Sequence, residues 1–301
     1  MLKKLARRLP FINKIITQRD YYQREFEKYK VWVPPGHFYS PVVSVEEFDA
    51  YKDQLYRNRT LQGINLNEER QKKLCEQFAA YYSQASYPET SQAGFRYYYG
   101  NNFFRYFDAL TLYNFIRLFN PKRIIEVGSG YSSAVILDTN ERFCDNQIQL
   151  TFIEPYPERL QSLLKATDKI QLIENKLQNV DKTLFYQLEE NDILFIDSTH
   201  VSKPGSDVNT LFFEILPLLK KGVFIHVHDI FFPFEYPEQW IYEGRTWNEI
   251  YLVRAFLQHN RDFSIQFFNS YVGTFYQEFL QKNMPLCLKD TGGSLWIRKE
   301  A

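Results

Sequence analysis

The 301-residue sequence predicts an α/β fold, a doubly wound and mostly parallel seven-stranded sheet with an antiparallel C-terminal hairpin and a helical N-terminal extension. Three observations predict it. From residue 123 onward, short β-branched or apolar runs alternate with helical patterns, which is typical of parallel strands joined by helical crossovers. A glycine-rich turn follows the first run, and two further strand-like runs lie near the C-terminus. We expect the extension to cover residues 1–105 and the α/β domain to cover residues 106–301.

The N-terminal extension has helical and irregular patterns. Its first nineteen residues carry six basic side chains before the first acid, Asp20, and their leucines and isoleucines fall near helical spacing. This pattern indicates either a terminal helix packed on its own domain or an amphipathic helix that docks on a membrane surface or a partner. Further helices are predicted over residues 68–82, capped by Asn67, and over residues 107–119.

Five apolar runs predict the parallel strands, and two closing runs with no helix between them predict an antiparallel edge pair. The predicted strands are residues 123–128, 150–155, 170–174, 192–197, 222–230, 263–270 and 294–300. The helices predicted between and after them are residues 131–138, 158–166, 181–187, 207–219 and 247–258, with Ser206 as the N-cap of the helix at 207–219.

Composition and charge exclude several classes of protein. Lys plus Arg equals Asp plus Glu at 36 each, which argues against a nucleic-acid binder, because such a protein needs surplus positive charge. No apolar run approaches the roughly 18 residues of a membrane span. Three widely separated cysteines without CxxC spacing indicate neither a disulfide framework nor a thiolate metal cluster. We therefore expect a protein of the reducing cytoplasm.

The strongest motif is the Gly-Ser-Gly turn at residues 128–130, which joins a strand to a helix. Glycine permits a sharp turn and close approach of a ligand, and the helix start offers free N–H groups. Glu154 ends the next strand, where nucleotide-binding folds hold ribose hydroxyls. Ser133 replaces the third glycine of a dinucleotide motif, and Glu126 disfavours a pyrophosphate but can accept from an ammonium group. If this is more than a plain strand-to-helix turn, it favours a cofactor with an amino-acid end and an adenosine end.

On these residues, the sequence resembles the class I S-adenosylmethionine-dependent methyltransferases, which have a Rossmann-like fold. The resemblance covers about residues 105–300 and is carried by Glu126-x-Gly128-x-Gly130, by Glu154, by Asp197 at the end of the fourth strand and by the closing hairpin. It implies S-adenosylmethionine as the cofactor. The cofactor-binding residues that it implies are Glu126, Gly128, Ser129, Gly130, Tyr131, Ser132, Glu154, Gln178 and Asp197.

Acidic and histidine side chains follow the fourth and fifth strands. Asp197 and His200 follow the fourth, and His228 and Asp229 end the fifth. Ligands bind beyond the carboxyl ends of neighbouring parallel strands, so we expect these side chains to converge near the cofactor. Asp197, His200 and His228 are the candidate catalytic residues.

Three roles for this cluster are open. In the first, Asp197, His228 and Asp229 hold a divalent cation (Mg, Mn or Zn) that binds the acceptor hydroxyl and lowers its pKa. That arrangement is similar to the metal-dependent small-molecule O-methyltransferases, with His228 in place of an acid, and imidazole suits Mn or Zn better than Mg. In the second, His228 or His200 is a general base that Asp197 or Asp229 orients. In the third, the histidines are structural or contact the cofactor.

Two aromatic segments are predicted to flank this sheet edge. Residues 81–119 hold fourteen aromatic rings and residues 231–251 hold eight. Rings stack on flat or sugar-like molecules and exclude water, so we expect a small-molecule acceptor of saccharide, phenolic or polyketide type. The candidate substrate residues are His37, Tyr39, Tyr236, Arg245 and Trp247. Asn248 and Glu249 either fix orientation in the site or start the following helix.

The function predicted from these features is O-methylation of a small-molecule hydroxyl, with or without a divalent cation. One alternative is a non-catalytic module that binds the cofactor and docks a partner. Another is an enzyme that uses the Asp/His cluster for metal-dependent oxidation or hydrolysis. Methylation of a protein is a further alternative.

Overall fold

The structure, a computed structural model, describes residues 10–28, 32–57 and 59–301. The chain divides into two compact units, residues 1–54 and residues 55–301. Residues 55–105, which the sequence analysis assigns to the N-terminal extension, therefore belong to the same compact unit as the sheet. The domain boundary after residue 105 stays a prediction.

The first unit is helical where it is described. Helix α1 is Pro10–Lys28, and helix α2 (Val45–Arg57) begins in this unit. Proline suits the first helical position, because the N–H that it lacks would have no helical partner there. Four of the six basic residues of the predicted docking helix, at positions 3, 4, 7 and 8, lie outside the described residues. Within the described ranges, every helix is too short or too polar to cross a membrane.

The second unit contains all seven predicted strands. The strands are β1 (Arg123–Val127), β2 (Gln149–Ile153), β3 (Ile170–Ile173), β4 (Ile193–Ile196), β5 (Phe224–Val227), β6 (Phe263–Phe268) and β7 (Leu295–Lys299). The α-helices are α3 (Glu68–Tyr82), α4 (Tyr106–Phe119), α5 (Tyr131–Phe143), α6 (Glu158–Leu163), α7 (Asp207–Thr210), α8 (Glu238–Tyr242), α9 (Glu249–Leu257), α10 (Asn269–Phe275) and α11 (Gln277–Asn283).

The strand order is β3-β2-β1-β4-β5-β7-β6. The first five strands are mutually parallel, and β7 lies antiparallel to both β5 and β6. This order confirms the predicted Rossmann-like fold with its C-terminal hairpin. The connection from β6 to β7 contains α10 and α11, so the expectation of no helix there was wrong. The order reverses between β1 and β4, and a crevice forms at such a point, beyond the carboxyl ends of the strands.

Local helix signals in the sequence were partly correct. Ser206 caps α7 as predicted, because its Oγ accepts a hydrogen bond of 3.1 Å from the Asn209 N–H. Asn67 precedes α3 but makes no side-chain cap, and its Nδ2 donates instead to the Ile265 carbonyl at 2.9 Å. The helix predicted over residues 207–219 changes from α to a π-helical turn and then to a 3₁₀ turn, because Pro217 cannot donate an α-helical hydrogen bond. The helix predicted over residues 181–187 is a 3₁₀ helix.

A buried arginine fixes the aromatic segment that precedes α4. The Arg96 side chain is 2% exposed and pairs with Asp138 at 2.7 Å, with Glu141 at 2.6 Å and with Asp168. The Asp138 carboxylate also accepts the backbone N–H groups of Arg96 and Tyr97. These bonds tie the segment that carries Phe103 and Phe104 to α5.

Candidate active site

The turn after β1 depends on a glycine at position 128. Gly128 has a φ of +81°, which side-chain-bearing residues rarely adopt. A Cβ atom built on it would lie 1.7 Å from the Asp197 carbonyl oxygen. Glycine at this position therefore lets the chain after β1 pass directly against the chain after β4.

Glu126 lies behind this turn. Its carboxyl group is fully buried and accepts hydrogen bonds from the hydroxyls of Ser132 and, at 2.6 Å, Ser133. Burial raises the pKa of Glu126 to about 8, although both hydroxyl contacts lower it. The residue does not line the cavity at the turn. Its contacts hold the first residues of α5. In this structure Glu126 therefore stabilises the turn and does not face the cavity.

Two cavities meet at the carboxyl edge of the sheet. Both are lined by Gly128, Glu154, Asp197, Ser198 and Thr199. The first, about 660 Å³, extends past β3 to Asn175, Lys176, Leu177, Gln178, Lys203 and Gly205. The second, about 600 Å³, extends past the turn to Phe103, Tyr131, Arg159, Trp240, Arg245 and Trp247. Their combined extent suits an elongated ligand whose middle lies at Glu154 and Asp197.

The predicted cofactor residues other than Glu126 line these cavities. The Ser129 N–H donates to Glu154 Oε2 at 3.0 Å, and the Tyr156 N–H donates to Oε1 at 2.9 Å. Gln178 donates to the Gly205 carbonyl at 2.7 Å at the far end of the first cavity. Among the described residues, the buried hydroxyls of Ser129 and Ser198 have no hydrogen-bond partner. Such buried polar atoms beside a cavity indicate a polar ligand.

The cluster of side chains beyond β4 and β5 is built around His200. Its Nε2 lies 3.3 Å from Asp197 Oδ1 and 3.5 Å from Asp229 Oδ2. Within the described ranges, Asp197, His200 and Asp229 form the group of possible metal ligands whose ligand atoms all lie within 4.8 Å of one another. His200 and Asp229 have φ values of +58° and +57°. Non-glycine residues rarely adopt this conformation, and strain of this kind concentrates at functional sites.

Glu249 fixes the orientation of His200. Its Oε2 lies 2.9 Å from His200 Nδ1, and its carboxyl group is fully buried. The His200 carbonyl accepts the backbone N–H groups of Asn248 and Glu249, both at 3.1 Å. The Trp247 ring packs on the imidazole at 4.4 Å between centroids. The imidazole is therefore held on one nitrogen by Glu249 and presents the other to two carboxylates.

Mutual interactions decide the charges in this cluster. Burial lowers the pKa of His200, but the carboxylates of Asp197 and Glu249 outweigh burial and hold that pKa well above the usual range. Burial opposes the charge of Asp197, but His228 and His200 outweigh it and hold the pKa of Asp197 well below its usual range. Burial raises the pKa of Asp229. A protonated imidazole against these carboxylates is a poor proton acceptor near neutral pH.

The structure corrects the predicted position of His228. The sequence predicts a group of Asp197, His228 and Asp229, but in the structure His200 is the histidine that lies with the two aspartates. The His228 Nε2 lies 3.6 Å from Asp229 Oδ1, and its ring packs against Phe104 at 5.3 Å. The residue lines the second cavity, so it lies beside the cluster of Asp197, His200 and Asp229.

The predicted acceptor residues fall in three places. Arg245 and Trp247 line the second cavity, where the Arg245 guanidinium lies 4.3 Å from the Trp240 ring centroid. Tyr236 was predicted to face the acceptor, but it is only 2% exposed and packs behind the cavity wall, where its hydroxyl accepts the Ile250 N–H at 3.3 Å. His37 and Tyr39 belong to the first unit, and their contact with an acceptor stays a prediction.

Sequence reasoning missed three residues of this site. Glu249 was noted only as an orienting residue or a helix start, without its contact to His200. Trp240 and Arg159 line the second cavity and were not singled out. Trp240 could have been found, since it lies in the aromatic segment after β5. Arg159 carried no signal, because an arginine in the first turn of a helix is usually a solvated residue.

Part of the chain matches known protein sequences. A family model described as a methyltransferase domain matches residues 125–230. An uncharacterized protein of the archaeon Archaeoglobus fulgidus is 39% identical over 166 residues, which span 53% of this chain and 75% of the relative.

Solved methyltransferase structures also align with the chain, at low similarity. A Podospora anserina methyltransferase bound to S-adenosylhomocysteine aligns with 86% of this chain and 99% of its own, at 18% identity and a TM-score of 0.43. The O-methyltransferase TomG from Streptomyces achromogenes, in complex with S-adenosylmethionine, aligns with 85% of this chain and 99% of its own, at 15% identity and a TM-score of 0.41. Both likenesses are remote and carry no detail of substrate.

Proposed function

The chain belongs to the class I S-adenosylmethionine-dependent methyltransferase family, and on that premise we propose that it methylates a hydroxyl oxygen of a small molecule. The observation that carries the proposal is the position of Asp197, His200 and Asp229. They line the same cavity as the glycine turn, so a hydroxyl held by them lies beside the methyl donor. The acceptor class that fits the tryptophan- and arginine-lined wall is a saccharide, a phenol or a polyketide.

The donor set of the cluster suits a divalent cation. Two carboxylates and one imidazole nitrogen converge, and Glu249 holds the other imidazole nitrogen, as carboxylates commonly do behind metal-bound histidines. Asp197, His200 and Asp229 would hold the ion, and the imidazole favours Mn or Zn over Mg. When bound, such an ion supplies a positive charge that lowers the pKa of a hydroxyl beside it.

The chain's own residues account for the rest of the reaction. The hydroxyls of Ser129 and Ser198 would donate to the cofactor, and Glu154 would bind its ribose hydroxyls. The acceptor oxygen bonds to the methyl carbon as the sulfur–methyl bond breaks, the hydroxyl proton passes to solvent water, and the neutral thioether of S-adenosylhomocysteine leaves. Trp240 and Trp247 exclude water from this path. Orientation and deprotonation of the acceptor are therefore the contributions of the protein.

The raised pKa of His200 disfavours the alternative in which this histidine is a metal-free general base. Without a cation, the imidazole is protonated near neutral pH and cannot accept the hydroxyl proton; a divalent cation at the cluster would take the place of that proton on Nε2. A metal-free route would require His228, whose Nδ1 is buried and has no hydrogen-bond partner among the described residues. The experiment below separates the two routes.

The test uses methyl transfer from radiolabelled S-adenosylmethionine to a panel of hydroxyl-bearing saccharides, phenols and polyketides. Wild-type protein is assayed after treatment with a chelator and after addition of Mn²⁺, beside Asp229→Ala and His228→Ala. The proposal expects transfer that chelation abolishes, Mn²⁺ restores and Asp229→Ala lowers at least a hundredfold. Transfer that is insensitive to chelation and is lost in His228→Ala supports the metal-free base. Cofactor binding without transfer to any acceptor supports a non-catalytic module.

Two further predictions stay proposals. A cytoplasmic location follows only from composition and cysteine usage. Docking of the basic N-terminal helix on a membrane surface or a partner depends mainly on residues outside the described ranges.

A further inference from the structure

We infer that Arg159 binds the carboxylate of the cofactor's methionine part and so decides whether the amino-acid end of the cofactor contributes to affinity. The inference deepens the proposed function and rests on S-adenosylmethionine being the cofactor. That molecule carries two positive groups, the sulfonium and the ammonium, and one negative group, the carboxylate. Each needs an environment of opposite charge or hydrogen-bond partners when the cofactor leaves water.

Acidic side chains line the part that the two cavities share. Glu154 and Asp197 line both cavities, and Asp229 lines the second. These groups suit the cofactor's hydroxyls and positive charges, but they repel a carboxylate. The N–H groups of Gly128, Ser129 and Gly130 already donate to other residues, so a cationic side chain at the methionine end of the site is the best partner for the carboxylate.

The direction of the cofactor identifies that end. Glu154 is placed for the ribose, and the first cavity runs from it past Gln178, where the adenine fits. The methionine part must then extend the other way, along the glycine turn and into the second cavity. The arginines that line this cavity are Arg159 and Arg245.

These two arginines differ in whether another side chain already pairs with their charge. Arg245 donates through Nε and Nη2 to the Glu243 carboxylate, both at 2.9 Å, and its charge is already balanced. The structure records no ion pair from Arg159 to any residue that it describes. The two lysines that line the cavities, Lys176 and Lys203, line only the first cavity, at the adenosine end.

Local packing holds the Arg159 guanidinium next to the turn. Its Cζ lies 4.0 Å from the centroid of the Phe103 ring, and that ring stacks on Tyr131 at 6.0 Å. This contact supports one face of the guanidinium and leaves its N–H edges available for a carboxylate.

Gly130 makes room for the same side chain. A Cβ at position 130 would lie 3.3 Å from Arg159 Cδ and 3.6 Å from Nη1. The φ of Gly130 is 174°, an extended conformation that any residue adopts. A side chain at position 130 would therefore press on Arg159 and displace it by a few tenths of an ångström.

Calorimetric binding measurements with a set of cofactor analogues test this assignment. The ligands are S-adenosylhomocysteine, S-adenosylmethionine, decarboxylated S-adenosylmethionine and 5′-methylthioadenosine, which lacks the whole amino-acid end. The proteins are wild type, Arg159→Gln and Arg159→Lys. Arg142→Gln is the matched control, because Arg142 also lies over a phenylalanine ring, at 3.8 Å from Phe95, but lines neither cavity.

We expect Arg159→Gln to weaken S-adenosylhomocysteine and S-adenosylmethionine about tenfold, as the loss of one charge-assisted contact does. The same variant should bind 5′-methylthioadenosine and decarboxylated S-adenosylmethionine as the wild type does. Arg159→Lys should retain part of the preference for the carboxylate, and Arg142→Gln should match the wild type throughout.

Three results would overturn the assignment. Equal weakening of all four ligands would mean that Arg159 acts on the fold of the site. Unchanged binding of all four ligands by Arg159→Gln would mean that the guanidinium does not contact the methionine part. Failure of wild-type protein to bind any of the four ligands would refute the cofactor itself, and with it the proposed function.

Discussion

Replacement of Glu249 by glutamine tests how the protein holds His200. Glu249 Oε2 lies 2.9 Å from His200 Nδ1, and the carboxyl group has no exposed surface. Glutamine keeps the shape and one acceptor oxygen but removes the charge. Because the contact is buried, water cannot take its place, so the full difference between a charged and a neutral hydrogen bond should be observed.

The size of that difference follows from the two kinds of bond. A hydrogen bond to a charged group contributes roughly 1.5–3 kcal/mol and a neutral one roughly 0.5–1.5 kcal/mol. Their difference of about 1–2 kcal/mol corresponds to a roughly tenfold weakening of Mn²⁺ binding at the Asp197–His200–Asp229 cluster. We expect methyl transfer at subsaturating Mn²⁺ to fall by the same factor.

The assay is calorimetric titration of Mn²⁺ into protein saturated with S-adenosylhomocysteine. Glu214→Gln is the matched control, because Glu214 is a surface residue that pairs with Lys182 at 3.0 Å and lines neither cavity. Urea unfolding of both variants shows whether the fold is intact. Mn²⁺ affinity in a folded Glu249→Gln protein equal to that of the wild type would refute the role given to Glu249.

Two further predictions concern stability. Arg96→Ala leaves the fully buried Asp138 carboxylate without its cation, so the free energy of unfolding in urea should fall by about 3–5 kcal/mol. The control Arg142→Ala, at an exposed residue, should lower it by less than about 1 kcal/mol. Similar losses in both variants would contradict the role of the buried network. In the folded protein the pKa of Glu126 is raised to about 8, so the folded protein keeps a proton that the unfolded chain releases. The free energy of unfolding should therefore fall as pH rises from about 4.5 to 8, by at most about 1.4 kcal/mol per pH unit. Glu126→Gln should flatten that decline in urea titrations at pH 5, 6.5 and 8, and a curve parallel to the wild type's would contradict the assignment.

The parts of the fold that the sequence predicts are those with local signals. Each parallel strand is a short apolar run, and the turn at residues 128–130 carries glycines where β1 meets α5. Asp197 comes directly after β4 and Asp229 comes two residues after β5, so the topology brings both to one edge of the sheet. The helices between β6 and β7 were missed because residues 269–288 contain two short helices without strong periodicity.

The parts of the site that were not predicted depend on contacts between distant residues. His200 reaches Asp229 only because its backbone adopts a left-handed conformation and because Glu249, 49 positions later, holds its ring. Neither fact has a local signature in the sequence. His228 was therefore predicted as the third metal ligand, because it is adjacent to Asp229. Tyr236 was misplaced for a related reason, since a tyrosine in an aromatic loop gives no indication of whether it faces a cavity or packs behind its wall.

A crystal structure of the protein with S-adenosylhomocysteine and Mn²⁺, examined by anomalous scattering, tests the central claim most directly. The account predicts adenosine in the 660 Å³ cavity, with its ribose at Glu154. It also predicts one Mn²⁺ bound by Asp197, His200 and Asp229, at about 2.0–2.3 Å from the nearest oxygen or nitrogen of each. Nucleoside bound elsewhere, or Mn²⁺ absent from these three side chains at saturating concentration, would contradict it.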